Sequence, residues 1–228
     1  MSGEQVRPDE LTFEEGAYLV RLARRSVEYY FEHGKRMPIP SDAPEGLLRP
    51  GAAFVTITTY YGPEARELRG CIGYVYPVKS LVETVIDVAV EAAFNDPRFP
   101  PMNRNELPRV TFEVSVLGPL EPLPSTPEER VKSIVIGRHG LVAKKGFLQG
   151  LLLPEVPVEY LWDEETFLAE TCVKAGMPPT CWLDSDTEFY RFTSRAWREK
   201  TPMGEVEERD LRREYESLIE RYGSKRER

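Results

Sequence analysis

The sequence predicts an α/β protein whose one continuous sheet is assembled from a duplicated strand–strand–helix–strand unit. Two observations carry that prediction. Short apolar runs with period-two alternation, among them Arg109 to Leu117, are separated by turns rich in Gly and Pro. The pattern then returns. With an ungapped shift of 80 residues, Leu68/Leu148, Gly70/Gly150, Pro77/Pro157, Val78/Val158 and Leu81/Leu161 coincide, as do Val55/Val135 and Phe112/Phe192.

The first helix is expected from Thr12 to His33. Thr12-x-x-Glu15 has the capping-box form, Leu19, Val20, Leu22, Ala23, Val27, Tyr30 and Phe31 recur at helical spacing, and Gly34 ends the run. Prolines make Lys35 to Gly51 a wrapped loop. Ala52 to Tyr60 and Glu67 to Tyr76 read as strands joined by a turn at Gly62-Pro63. Ser80-x-x-Glu83 opens a helix to Phe94 so apolar that it must be largely buried. The prolines of Asn95 to Met102 make a rigid connection, and Arg109 to Leu117 is the third strand. In the second half, Ile134 to Ile136, Leu141 to Ala143 and Phe147 to Leu153 read as strands. Asp163 to Ala175 reads as a helix closed by Gly176, and Glu188 to Thr193 as the last strand. Glu205 to Tyr222 is expected to be a charged helix docked by Val206, Leu211, Tyr215, Leu218, Ile219 and Tyr222, with a fraying end at Ser224 to Arg228.

A chain of 228 residues with 41% hydrophobic and 30% charged residues is an ordinary soluble composition, with no apolar run of the roughly 20 residues that span a bilayer. The polar, acidic start is not a signal peptide, and a cytoplasmic location is expected. A net charge of −8 argues against general nucleic-acid binding, although Arg138, His139, Lys144 and Lys145 leave a modest basic patch. Cys71, Cys172 and Cys181, an odd set without CxxC spacing, suit a reducing compartment better than a disulfide framework. The few amide side chains and 20 prolines hint at a thermophilic source. No Walker loop, GxGxxG or Cys/His ligand cluster appears, so no metal is expected and no cofactor is indicated.

Six motifs carry a resemblance. They are Leu68-Arg69-Gly70-Cys71-Ile72-Gly73, Asp96-Pro97-Arg98-Phe99, Glu113-Val114-Ser115-Val116-Leu117, Gly137-Arg138-His139-Gly140-Leu141, Gly150-Leu151-Leu152-Leu153-Pro154 and Lys174-Ala175-Gly176. In this order and spacing they resemble the AMMECR-one domain family, named for a human chromosomal region deleted in Alport syndrome with midface hypoplasia. The resemblance implies an antiparallel α/β fold with duplicated halves beside a smaller helical subdomain. The domain is then expected over 1–200, with halves at about 50–120 and 130–195, the first helix at 12–33, and a C-terminal helix and tail at 201–228. The resemblance also implies a functional link to Memo-like and radical-SAM proteins, whose genes neighbour the family in some microbes, but it supplies no reaction. Glu155 stands where relatives often carry glutamine.

The candidate catalytic residues are Cys71, His139 and Glu113. Alternation puts Arg69 and Cys71 on one face of their strand, and a neighbouring guanidinium favours the thiolate, the strong nucleophile. Glycine-flanked His139, oriented by Glu113 or Glu159, would complete a thiol–imidazole pair converging with Arg69 in a cleft between the halves. Arg69, Gly70, Gly73, Arg98 and Gly150 are the candidate substrate-binding positions, glycine within a strand marking a close approach of ligand or backbone. Gly70 and Gly150 are expected to let the two hairpins meet. The competing reading makes Cys71, Cys172 and Cys181 core residues and Arg69 a sheet partner of Glu113, with Asp96 anchoring its loop through backbone N–H groups. Two functional classes therefore stand: an enzyme on a small metabolite, and a binding or adaptor protein for a protein or RNA whose motifs are structural.

Overall fold

In the computed structural model, which describes residues 4–63 and 65–226, both capping boxes are formed. Helix α1 (Phe13–His33) starts where Thr12 Oγ1 accepts the Glu15 N–H at 3.2 Å and the Glu15 carboxylate accepts the Thr12 N–H at 2.9 Å. It ends on Gly34 at φ 66°, a left-handed conformation that glycine adopts without a Cβ clash. Helix α2 (Leu81–Phe94) is capped by Ser80 and Glu83 and buries Leu81, Val82, Val85, Ile86, Ala89 and Ala93. Asp87, on its polar edge, is buried among Arg36 and Lys79, which pair with it.

The chain divides into two compact units. The first comprises residues 1–118 and 195–209. Strands β1 (Ala52–Gly62), β2 (Ala65–Tyr74) and β3 (Val110–Leu117) pair antiparallel in the order β2-β1-β3, with a bulge in the β1–β2 pairing between Ile57 and Thr58. One face of this sheet, carrying Val55, Ile57, Val110, Phe112, Val114 and Val116, joins α1 and α2 in one apolar core. Each such side chain, fully buried, stabilises the fold by roughly 1.5–3 kcal/mol. Arg24 of α1 reaches Glu199 with both bridging bonds at 2.6 Å and also donates to the carbonyls of Leu107 and Val110, so hydrogen bonds compensate the burial of this ion pair.

The second unit comprises residues 119–194 and 210–228, with a core of its own around Leu141, Ala143, Phe167, Leu168 and Phe189. Its elements are β4 (Glu121–Pro122), α3 (Pro127–Lys132), β5 (His139–Lys145), β6 (Leu148–Leu152), α4 (Glu155–Tyr160) and α5 (Glu164–Lys174). Strand β7 (Glu188–Glu199) then pairs with β5 and β4 and passes into the first unit at Arg195, where β8 (Val206–Glu208) pairs with it. The last helix, α6 (Leu211–Arg226), belongs to the second unit. Within each unit the described strand pairs are antiparallel, and the order strand–strand–helix–strand recurs, with the third strand beside the first in each unit. The fold is thus mixed α/β on an antiparallel sheet. Among the described residues no helix is long and apolar enough to cross a membrane.

Several sequence expectations need correction. Ile134 to Ile136 is a turn, not a strand: Ile134 and Ile136 are buried in the second core, while the Val135 carbonyl accepts from Arg138 and His139. The 80-residue match holds at Gly70/Gly150 and at Phe112/Phe192, both fully buried on third strands. It holds also at Leu68/Leu148, both on second strands, and fails at Leu81/Leu161, because Leu81 is a buried helical residue and Leu161 is the left-handed cap of α4 at φ 53°. The tail helix starts six residues later than expected, because Val206 to Glu208 are taken into β8. Ser224 to Arg226 lie within α6 rather than frayed, and Glu227 and Arg228 lie outside the described residues. Cys172 and Cys181 are buried as expected of core residues, but they are joined by a disulfide, which overturns the thiol reading of the set. The bridge ties the end of α5 to the short 3-10 turn at Cys181–Leu183 across a proline-containing loop.

Candidate functional site

The core face of the first sheet is apolar; its other face is polar, and the register shows why the motif residues gather there. Cys71 on β2 lies opposite Thr56 on β1, and Thr56 lies opposite Glu113 on β3. Direct neighbours across strands have Cβ atoms about 4.5–5.5 Å apart, so one row of three side chains crosses the sheet. Thr56 Oγ1 donates to Cys71 Sγ at 3.2 Å, and Arg209 donates to both Glu113 oxygens at 3.2 and 3.3 Å. One dipeptide along, Thr58 and Thr111 form the next row with their hydroxyls 2.8 Å apart. Cys71 is half-buried and is the thiol outside the disulfide.

The Asp96-Pro97-Arg98-Phe99 segment fastens the edge of this sheet. β2 is the edge strand, and the outward backbone groups of Cys71 are met by side chains instead of a further strand. The Cys71 N–H donates to Asp96 Oδ2 at 2.8 Å, and Arg98 Nη2 donates to the Cys71 carbonyl at 3.2 Å and to Asp96 at 2.7 Å. Asp96 is 3% exposed, and the Arg98 guanidinium, helped by the N–H groups of Cys71 and Arg98, holds its carboxyl down to about 2 against burial. The anchoring role read for Asp96 is thus met by named N–H groups.

Arg69 does not pair with Glu113, as one reading expected. It donates to Glu106 at 2.6 and 3.1 Å and to the Pro100 carbonyl at 3.0 Å. Those bonds lower the Glu106 carboxyl's pKa, and Glu106 in turn caps its own turn by accepting the Asn103 N–H. Glu113 is instead taken by Arg209, far along the chain.

The glycines make close approaches to the fold itself. A Cβ at Gly70 would meet the Ala92 carbonyl of α2, and one at Gly150 would meet the Ala175 backbone at the end of α5. Each glycine thus admits its own unit's helix, which replaces the expectation that they bring the hairpins together. The space over Gly73 is filled by the ring of Phe54. His139 opens β5 in the second unit and is 6% exposed. Its Nδ1 accepts the Val135 N–H at 3.0 Å, and burial, with the charges of Arg191 and Arg138, pushes its pKa down to about 4. The neutral ring therefore carries its proton on Nε2 and is occupied in fixing the Val135–His139 turn. Among the described residues there is no cluster of three or more His, Cys, Asp or Glu side chains fit to hold a metal.

With this geometry established, comparison with known proteins decides the family. A profile of the AMMECR1 family matches residues 20–197. The chain belongs to the AMMECR1 family. Similar AMMECR1 relatives include a protein of Thermococcus gammatolerans, 51% identical over 86% of this chain and 96% of its own length. Another, from Aeropyrum pernix, is 51% identical over 93% of this chain and 90% of its own. The solved structure of protein PH0010 from Pyrococcus horikoshii is similar at a TM-score of 0.85 and 48% identity, covering 88% of this chain and 98% of that one. The relatives' names state no activity, so membership brings the AMMECR1 fold and no reaction.

Sequence reasoning missed Thr56 and Arg209. Thr56 was legible in principle, since alternation within Ala52–Tyr60 sets Thr56 and Thr58 on one face, but its partner depends on register. Nothing local marks Arg209, which reaches Glu113 across 96 residues of chain.

Proposed function

We propose that this AMMECR1 protein is an enzyme acting on a small electrophilic metabolite at the polar face of the first unit's sheet. The observation that carries the reading is the row Cys71, Thr56, Glu113 on the face opposite the apolar core. Cys71 Sγ is the nucleophile, and the Thr56 hydroxyl, donating to it at 3.2 Å, favours the thiolate. Glu113, held by Arg209, stands two strands from Cys71 and takes the proton of the Thr56 hydroxyl between them. Thr56 takes the thiol proton in turn, and its hydroxyl then donates a hydrogen bond to the thiolate. A carbon–sulfur bond forms at the substrate's carbonyl carbon, the leaving group departs with a proton, and water hydrolyses the thioester to restore the thiol. His139 has no part in this scheme, because its Nδ1 is engaged and its ring stays neutral.

One observation favours the non-catalytic alternative. Arg69 and Arg98 are consumed by Glu106 and Asp96, so the arginines of the two motifs serve the edge of the sheet. In a binding protein the whole strand would be structural. The test is acylation by p-nitrophenyl acetate, an activated ester. The enzyme reading expects a stoichiometric burst and an acetyl group on Cys71 in the peptide mass spectrum, slowed by Glu113→Gln. A folded protein acetylated only on lysines would assign the motif to structure.

The recurring strand–strand–helix–strand order supports an internal duplication. A cytoplasmic location, a thermophilic source and an exchange of substrate or product with Memo-like or radical-SAM proteins belong to the same proposal.

A further inference from the structure

Arg66 lies on the same polar face and is not used by the scheme above. Its Nη1 donates to Thr111 Oγ1 at 2.9 Å and to the Glu199 carbonyl at 3.0 Å, and its Nη2 donates to the Lys200 carbonyl at 2.7 Å. Its Nε–H is buried without an acceptor among the described residues, and the guanidinium stands over the Tyr60 ring at 5.2 Å. Every bonded partner is thus a neutral oxygen. A half-buried cation without an anionic partner forfeits the interaction that usually compensates its lost hydration.

The neighbouring charges do not make up the deficit. Arg198, Glu113 and Glu207 are the charged side chains that act on it most strongly. Glu113 is bound by Arg209, and Glu207 is bound by Arg198 at 2.8 Å. Glu199 is occupied by Arg24, and Lys200 by Glu205. Among the described residues each of these carboxylates is thus bound by another arginine, and Arg66 is bonded to neutral oxygens.

We infer that Arg66, with the Thr58 hydroxyl that stands over the buried Thr111, binds an oxyanion, and that the substrate of the proposed site is a small metabolite carrying a carboxylate or phosphate. The placement suits a substrate handle. Thr111 is two residues from Glu113 on the same face of β3, about 7 Å along the strand, so a bound anion would lie one row from Cys71, Thr56 and Glu113. The guanidinium is held in place by three oxygens, so little ordering is required on binding. This inference rests on the enzyme reading only for the substrate's role; the anion site itself does not depend on it.

The test titrates ¹⁵N-labelled full-length protein, in a Cys71→Ser background, with inorganic phosphate and separately with malonate. The arginine Nε–H and backbone resonances of the face are followed. Saturable shifts are expected, with phosphate binding tighter than malonate for a phosphate-bearing substrate and the reverse for a carboxylate. Arg66→Gln should weaken binding by about tenfold or more, the loss expected for a charge-assisted hydrogen bond. Arg104→Gln, which removes an exposed arginine paired with Glu32, should leave it unchanged. If Arg66→Gln does not fold, Thr58→Val supplies the second variant and should weaken binding while leaving the three oxygens that hold the guanidinium. Linear, unsaturable shifts with both anions, or equal affinity in the folded variants, would overturn the inference. Saturable binding in a protein whose wild-type Cys71 resists acylation would retain the anion site and remove the thiol scheme; acylation without binding would do the reverse.

Discussion

Replacing Asp96 by Asn tests the claim that the Asp-Pro-Arg-Phe segment clamps the edge strand beneath Cys71. The carboxylate accepts from the Cys71 N–H, the Arg98 N–H and the Arg98 guanidinium, and its pKa falls from 3.8 to about 2. At 1.36 kcal/mol per unit, that shift corresponds to about 2 kcal/mol of stability. The native pKa lies below the unfolded one, so the contribution is complete above about pH 4 and disappears as pH falls through 2. An Asn side chain keeps the size but turns an amide N–H₂ toward the Arg98 donors, so most of that energy should vanish. Trp197 is buried in the first core, and Trp162 and Trp182 pack in the second. Fluorescence of Trp197 in a Trp162→Phe, Trp182→Phe background therefore reports the first unit's guanidinium-induced unfolding. Asp96→Asn should lower its stability by about 2 kcal/mol at pH 7, and the difference from the parent should shrink between pH 4 and 2. A loss under about 0.5 kcal/mol, within the range of ordinary surface substitutions, or a difference independent of pH, would refute the clamp.

Other perturbations reach different parts of the account. Gly70→Ala and Gly150→Ala each force a Cβ into helix backbone and should cost about 1–3 kcal/mol or more, read as a lowered thermal midpoint. His139, with a native pKa near 4 against an ordinary 6.5, should remain neutral by NMR at pH 5.5. Protonating the buried ring costs the folded state on the order of 3 kcal/mol, so stability is lost as pH falls from about 6.5 through 4. A His139 titration midpoint above 6 would contradict the observed packing. Replacing Cys172 and Cys181 by Ser should destabilise the second unit by roughly 2.5 kcal/mol, the loop-closure value for a separation of 9 residues; unchanged melting would show that the bridge does not hold the loop.

Features written in local sequence were legible, and those set by register or distant pairing were not. The capping boxes at Thr12 and Ser80, the burial of α2 and the alternation of β3 follow from spacing alone, and the structure agrees. The glycines in the strands announced close approaches, but sequence does not say what approaches, and helix backbones fill both places. Arg69 and Glu113 have alternation that permits a pair, yet each met a different partner contributed by another segment, Glu106 and Arg209. Ile134 to Ile136 is an apolar run too short for periodicity to tell a buried turn from a strand. The disulfide escaped because an odd cysteine count and a wide spacing argue for thiols, whereas α5 and the turn after it bring two of them together. Within the candidate site, Cys71 and Glu113 were found from their motifs, while Thr56 between them is visible only once the strands are in register.

The enzyme reading makes Cys71 a working thiol, and its alkylation reads this without a substrate. With Cys172 and Cys181 replaced, iodoacetamide labelling of the folded protein at pH 7 is compared with that of the urea-unfolded chain. Labelling should be faster in the folded state and slowed by Thr56→Val, which removes the hydroxyl donor to Sγ. Labelling that occurs only on unfolding would contradict the enzyme reading and make Cys71 a packing residue of the edge strand.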